Sequence, residues 1–167
     1  MKIKTNYYDR EFNQVIMPII ENEEYQKTKD CIHHGMNRYD HMIRVSYYSY
    51  RITKALRLNY KETARAAALH DFFFEDINDE GKVKRLVNHP NVALENSKKH
   101  FELTQLEEDI IKAHMFPVGR HIPKYLESWI VDLVDDVVSV YEKTCVLKEN
   151  MSLGFSIIMM FVMMLKK

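Results

Sequence analysis

The run Ala64-Arg65-Ala66-Ala67-Ala68-Leu69-His70-Asp71 constrains this chain more than any other stretch. Its alanines and leucine favour a helix and let neighbouring helices approach closely. The run ends in an imidazole and a carboxylate, both standard donors for zinc, iron, manganese and related ions. At the end of such a helix the two side chains can point into a cavity. A lone His-Asp pair is weak as a site, so the reading depends on partners elsewhere in the chain.

Composition narrows the fold. The chain has 167 residues, which suits one domain around one core. Four glycines and four prolines leave few turns and argue against an all-β fold. Lys plus Arg and Asp plus Glu number 24 each, so no charge footprint for nucleic acid is visible and none is expected as a partner. Cys31 and Cys145 are too few for a disulfide framework, which favours a reducing compartment. Residues 1–10 are polar and lack the apolar centre of a signal peptide. A cytoplasmic location is the expectation.

In chain order, Phe12, Val15, Ile16, Ile19 and Ile20 recur at helical spacing, with Pro18 predicting a kink or two short helices. Residues 31–38 read as a loop turning at Gly35. A helix is expected over about 39–56, with His41, Val45, Tyr48, Ile52 and Ala55 on one face and Arg44 within reach of it. Asn59 and Glu62 form a candidate capping box for the helix ending at His70-Asp71, and Thr104 and Glu107 form a second for a helix reaching about His114. Phe72-Phe73-Phe74 reads as core beneath the site. Residues 75–85 read as an exposed charged loop, and Asn88-His89-Pro90-Asn91 as the lead-in to a helix over about 92–100. After a loop at 115–123, a long helix is expected over about 124–147, with Ile130, Leu133, Val134, Val137 and Tyr141 on its apolar side. The tail from Leu153 to Leu165 is nearly all apolar. It is shorter than the ~20 residues a membrane span needs, so a buried or dimer-forming helix is expected rather than an anchor.

His41, His70, Asp71, His89, His114 and an aspartate near 135 fall on successive helices or helix starts, roughly twenty to thirty residues apart. A helical bundle can bring side chains so spaced to one interior point. Helical periodicity does not separate Asp135 from Asp136.

Tyr39-Asp40-His41-Met42-Ile43-Arg44-Val45, then Ala68-Leu69-His70-Asp71, then Val131-Asp132-Leu133-Val134-Asp135 together resemble the HD superfamily of metal-dependent phosphohydrolases. The resemblance covers roughly residues 30–142. It implies an all-α, single-domain bundle with an interior metal site, where His41, His70, Asp71 and Asp135 hold a first metal. Asp136 then stands where the family often has Lys. The expected layout is an N-terminal helical extension (1–30), the HD domain (31–148) and an apolar C-terminal helix (149–167) packing on the domain or on a dimer partner.

Diadenosine tetraphosphate hydrolases and cyclic-di-GMP phosphodiesterases of this superfamily carry two further histidines, which His89 and His114 resemble. There these hold a second metal and the aspartate of the pair bridges; the alternatives for His89 and His114 are contact with substrate phosphate or support of the first ligands. The implied cofactor is one or two divalent transition metals, with Fe, Mn, Zn, Co and Ni not distinguishable. The implied activity is cleavage of a phosphoester of a small nucleotide or related phosphate by a metal-activated water, with His70 and Asp71 in the catalytic set. Arg44 is a phosphate clamp or a structural ion pair, and His34 and Arg120 are further substrate-contact candidates. Lys112, His121 and Lys124 flank the 115–123 loop with Arg120. Two other readings stand beside this one: a di-iron oxygenase on the same fold, and a non-catalytic nucleotide-binding sensor.

Overall fold

The computed structural model describes residues 9–33, 36–74 and 82–165. These form seven α-helices: α1 (Arg10–Ile20), α2 (Glu23–Gln26), α3 (Arg38–Ala55), α4 (Tyr60–Leu69), α5 (Lys82–His100), α6 (Gln105–Ala113) and α7 (Leu126–Leu165). One 3-10 turn (Lys27–Lys29) follows α2, and a two-residue antiparallel pair, β1 (Ile32–His33) with β2 (Met36–Asn37), leads into α3. The fold is the expected all-α bundle.

α4 is its centre, packing on α1, α3 and α6 and touching α5 and α7. Ala64, Ala66, Ala67, Ala68 and Leu69 are all fully buried. Small side chains on several faces are what let so many helices surround one, because each methyl adds little to the interaxial distance. The Tyr25 hydroxyl donates to the Ala68 carbonyl at 2.7 Å, tying the α2 segment to the end of α4. Phe72 and Phe73 are buried beneath the helix end, as their sequence suggested.

Local signals explain most helix starts. Asp9, Asn22 and Asn37 accept backbone N–H groups at the starts of α1, α2 and α3. Thr104 and Glu107 complete a reciprocal capping box on α6. Asn59 does not: its amide donates to Glu62 at 2.8 Å and its side chain caps no backbone group. α1 runs through Pro18, and the break falls at Glu21-Asn22, where Asn22 starts a new helix.

Four further expectations need correction. α5 begins at Lys82 and carries Pro90 inside it, so His89 lies mid-helix rather than in a lead-in loop. Residues 75–81, the rest of the loop expected there, and Gly35 lie outside the described residues. The core face of α3 is Met42, Val45, Ser46, Ser49, Tyr50 and Thr53, while Tyr48 and Ile52 are exposed. On α7 the core side is Val131, Val134 and Val138, whereas Leu133, Val137 and Tyr141 face outward. α7 also continues without a break to Leu165.

Candidate metal centre

His70 and His114 occupy equivalent positions, each capping the C-terminus of a helix, α4 and α6. Each has its ring Nδ1 on the carbonyl three residues back, His70 on Ala67 at 2.7 Å and His114 on Ile111 at 2.8 Å. A carbonyl only accepts, so both rings carry their proton on Nδ1 and present an Nε2 lone pair to the interior. His41, on α3, has Nδ1 3.0 Å from the Glu142 carboxylate on α7. That contact fixes the same tautomer.

The lone pairs converge. His41 Nε2 lies 2.9 Å from Asp135 Oδ1, and His70 Nε2 lies 3.7 Å from the same oxygen. Asp71 uses both its oxygens. Oδ2 is 3.9 Å from His70 Nε2, while Oδ1 is 3.3 Å from His89 Nε2 and 3.5 Å from His114 Nε2. His89 and His114 have their Nε2 atoms 2.9 Å apart. Two groups of donors result, His41-His70-Asp71 and Asp71-His89-His114, each clustered within 4.8 Å and sharing Asp71. Asp135 closes the first. All six side chains are buried.

These residues fit a metal. His70 Nε2 and Asp71 Oδ1 are buried without a hydrogen-bond partner, a costly state for polar atoms unless something else satisfies them. Metal–N and metal–O bonds of ~2.1 Å at right-angled to tetrahedral geometry put donors about 3.0–3.4 Å apart, close to the spacings here. With the tautomers of His41, His70 and His114 fixed, their contacts with Asp71 and Asp135 set acceptor against acceptor, which a cation between them relieves. His41, His70, Asp71 and Asp135 would hold one ion, and Asp71, His89 and His114 a second.

The electrostatics keep both aspartates ionised, and at His114 a proton competes with a cation for Nε2. Burial opposes ionisation of Asp71, but the surrounding His70, His114 and His89 outweigh it and hold the carboxyl well below its usual range. Asp135 is likewise driven far down against its burial, by His70 and His41. His114 is raised although burial pulls the other way, through Asp71 and Asp135.

The sequence left Asp135 and Asp136 open on periodicity. Asp135 is buried against His41, and Asp136 is exposed. Glu142, which sequence reading missed, is wholly buried and accepts from both His41 and Arg44. Its signal was available: seven residues, two helical turns, separate it from Asp135, so both share a face. Arg44 is buried in that ion pair with Glu142. Asp132 accepts the Phe116 N–H at 3.1 Å, and burial together with Asp136 raises its pKa to about 6.

A cleft of about 750 Å³ is lined by Asn88, Pro90, Asn91, Lys112, Arg120 and His121 among others, so the chain neighbours of His89 line it while His89 itself does not. Asp109 anchors its far wall, accepting His121 Nε2 at 2.7 Å, the Lys124 N–H at 2.9 Å and the Ser128 hydroxyl at 2.7 Å. Burial would raise the Asp109 pKa, but these bonds hold it below its usual value. Arg120 is thus at the cleft, away from the donor cluster, and His34 lies outside the described residues.

An all-α bundle with an interior His/Asp cluster defines the class, and sequence comparison gives the family. A family model described as the HD domain matches residues 38–139, more than half of the chain. The protein belongs to the HD domain family, within the superfamily of metal-dependent phosphohydrolases, whose domains bind divalent metals. No curated protein and no solved structure matches the chain. Among the described residues no helix is long and apolar enough to cross a membrane.

Proposed function

We propose that this protein hydrolyses a phosphoester of a small nucleotide or related phosphate at a two-metal site formed by His41, His70, Asp71, His89, His114 and Asp135. The observation that carries the reading is Asp71, whose two oxygens face separate sets of histidines across one buried cluster. Divalent ions bound there supply positive charge for phosphate oxygens and bring the pKa of a water toward neutrality.

The chain's own groups do the rest. Glu142 holds His41 in the tautomer that presents Nε2, and the Ala67 and Ile111 carbonyls do the same for His70 and His114. Lys112 and Arg120 bring cationic donors to the cleft lined by Asn88, Pro90 and Asn91, the chain neighbours of His89, which suits an anionic substrate. Asp109 ties down His121, so the 114–125 loop forms a fixed wall there. Arg44 acts through Glu142 and His41 as a positioning residue, because its guanidinium is buried in an ion pair.

The experiment is a panel of nucleoside phosphates, dinucleotides and phosphodiesters, run with protein reconstituted in Fe, Mn, Zn, Co or Ni. Phosphate or nucleotide release that disappears in Asp71→Asn supports the reading. A metal-loaded protein that binds a nucleotide yet turns over no panel member would overturn it.

A further inference from the structure

We propose that two copies of this chain pair antiparallel along α7, through the face of that helix turned away from the metal centre. One side of α7 is used by the bundle: Ser128, Val131, Val134, Asp135, Val138 and Glu142 are buried. Among the described side chains Glu142 is the last one buried, although the helix continues to Leu165. The other side carries Leu126, Leu133, Val137, Val140, Thr144, Leu147 and Met151, with Ile130 in the same row but half-buried against the bundle core. The steps between them alternate four and three, which is the heptad spacing of a two-helix seam.

Leu133 is 64% exposed, Val137 60%, Val140 64%, Leu147 59% and Met151 66%. Single exposed apolar residues are ordinary, but a continuous stripe marks an interaction surface. Alongside, an apolar groove of about 400 Å³ lies between α3 and α7, with Tyr48, Ile52, Leu133, Val137 and Tyr141 on its walls and Arg44 among its lining residues. A helix packed on the seam would cover it.

Charge selects the occupant. The described charged residues that flank the seam are Glu127, Asp136, Lys143 and Lys148. Set antiparallel with Val137 facing Val140 of the second copy, the heptad stacks Leu133 on Thr144, Ile130 on Leu147 and Leu126 on Met151. That register also sets Asp136 beside Lys143, and the two-fold axis repeats the pair; Glu127 falls on the row of Lys148 but accepts the Asn59 N–H of its own bundle at 3.1 Å. Two parallel copies would instead set Lys143 against Lys148. The surface is therefore self-complementary in one orientation, as a closed two-fold dimer requires. A helix lying on lipid would carry predominantly basic flanks, and these are mixed in sign.

The test uses the full chain, by analytical ultracentrifugation over a range of concentrations. Wild type is expected to sediment as a dimer. Val137→Glu with Val140→Glu should sediment as a monomer with unchanged far-UV circular dichroism and metal content, since both positions are exposed. Lys143→Glu replaces two attractive pairs by two repulsive ones and should raise the dimer dissociation constant about ten-fold, less at high salt. A monomeric wild type would overturn the proposal, including one that collects as monomer on anionic phospholipid vesicles. So would a dimer indifferent to the Val137→Glu and Val140→Glu pair. Tighter association of Lys143→Glu would overturn the antiparallel arrangement.

Discussion

Replacing Glu142 with alanine separates a structural ion pair from a metal-tuning one, because Glu142 is both. The carboxylate is wholly buried, faces His41 Nδ1 at 3.0 Å and pairs with Arg44, itself only 3% exposed. Removing one partner of a buried pair leaves an uncompensated charge, here the guanidinium, at a cost of about 3–5 kcal/mol. For a domain of this size each kcal/mol moves Tm by ~2–4 °C, so a fall of about 6–20 °C follows. Glu142→Gln keeps the volume but offers one acceptor to two donors and turns an amide N–H toward the other, for about 2–3 kcal/mol. Both variants free His41 to adopt the other tautomer, and metal affinity should drop about 10–100-fold.

Thermal melts and metal titrations read the two effects apart. Combining Arg44→Met with Glu142→Leu removes both charges and should bring stability back to within about 1 kcal/mol of wild type, or ~2–4 °C in Tm. Metal affinity should stay low, because His41 Nδ1 still lacks its acceptor. The reasoning fails if Glu142→Ala melts within about 1 kcal/mol of wild type, or if the double variant recovers full metal affinity.

Other outcomes follow from the same geometry. Tyr25→Phe removes the buried bond to the Ala68 carbonyl and should cost about 1–2 kcal/mol by chemical denaturation, with metal content unchanged. Ala66→Leu forces a larger side chain into the fully buried centre of α4 and should cost about 1–3 kcal/mol in the same assay. Asp132 has its folded-state pKa raised from 3.8 to about 6, so its ionisation opposes folding. That penalty is absent below about pH 4, grows toward pH 6 and is complete above it. Asp132→Asn should therefore stabilise the protein by about 1–2 kcal/mol at pH 7.5 and leave it unchanged near pH 4, as denaturation at the two pH values would report. If the cleft binds substrate phosphate, Arg120→Ala and Lys112→Ala should raise KM about ten-fold with little change in kcat.

The donor set was legible because its residue types serve little other purpose inside a helical core. A buried histidine or aspartate needs a partner, and six of them at helix ends and on inward faces share few explanations. The start of α6 at Thr104 was legible for a local reason, since the cap lies within three residues of what it caps; the same rule went wrong at Asn59, and the caps at Asp9 and Asn37 went unread. Glu142 was harder to see. Its partners, His41 and Arg44, are about a hundred residues away in sequence, and a glutamate on a long helix ordinarily faces water.

Pro90 misled through a sound local rule, because proline removes a helical N–H and usually marks a boundary. Here His89, Pro90, Ala93 and Leu94 are all buried, and packing carries the helix through. α7 misled differently. It has apolar residues on two faces, one for the bundle and one left outside, and periodicity alone does not rank them. That second face became visible only when the bundle had claimed the first.

The most direct measurement is elemental analysis of chelator-free protein, for wild type and for Asp71→Ala, His70→Ala and His114→Ala, each checked by circular dichroism. The shared Asp71 predicts two metal ions per chain in wild type, about one in His114→Ala, and nearly none in Asp71→Ala and His70→Ala. A folded wild type that holds no metal after reconstitution with Fe, Mn, Zn, Co or Ni would contradict the account. One ion per chain, retained in His114→Ala, would contradict its two-metal form.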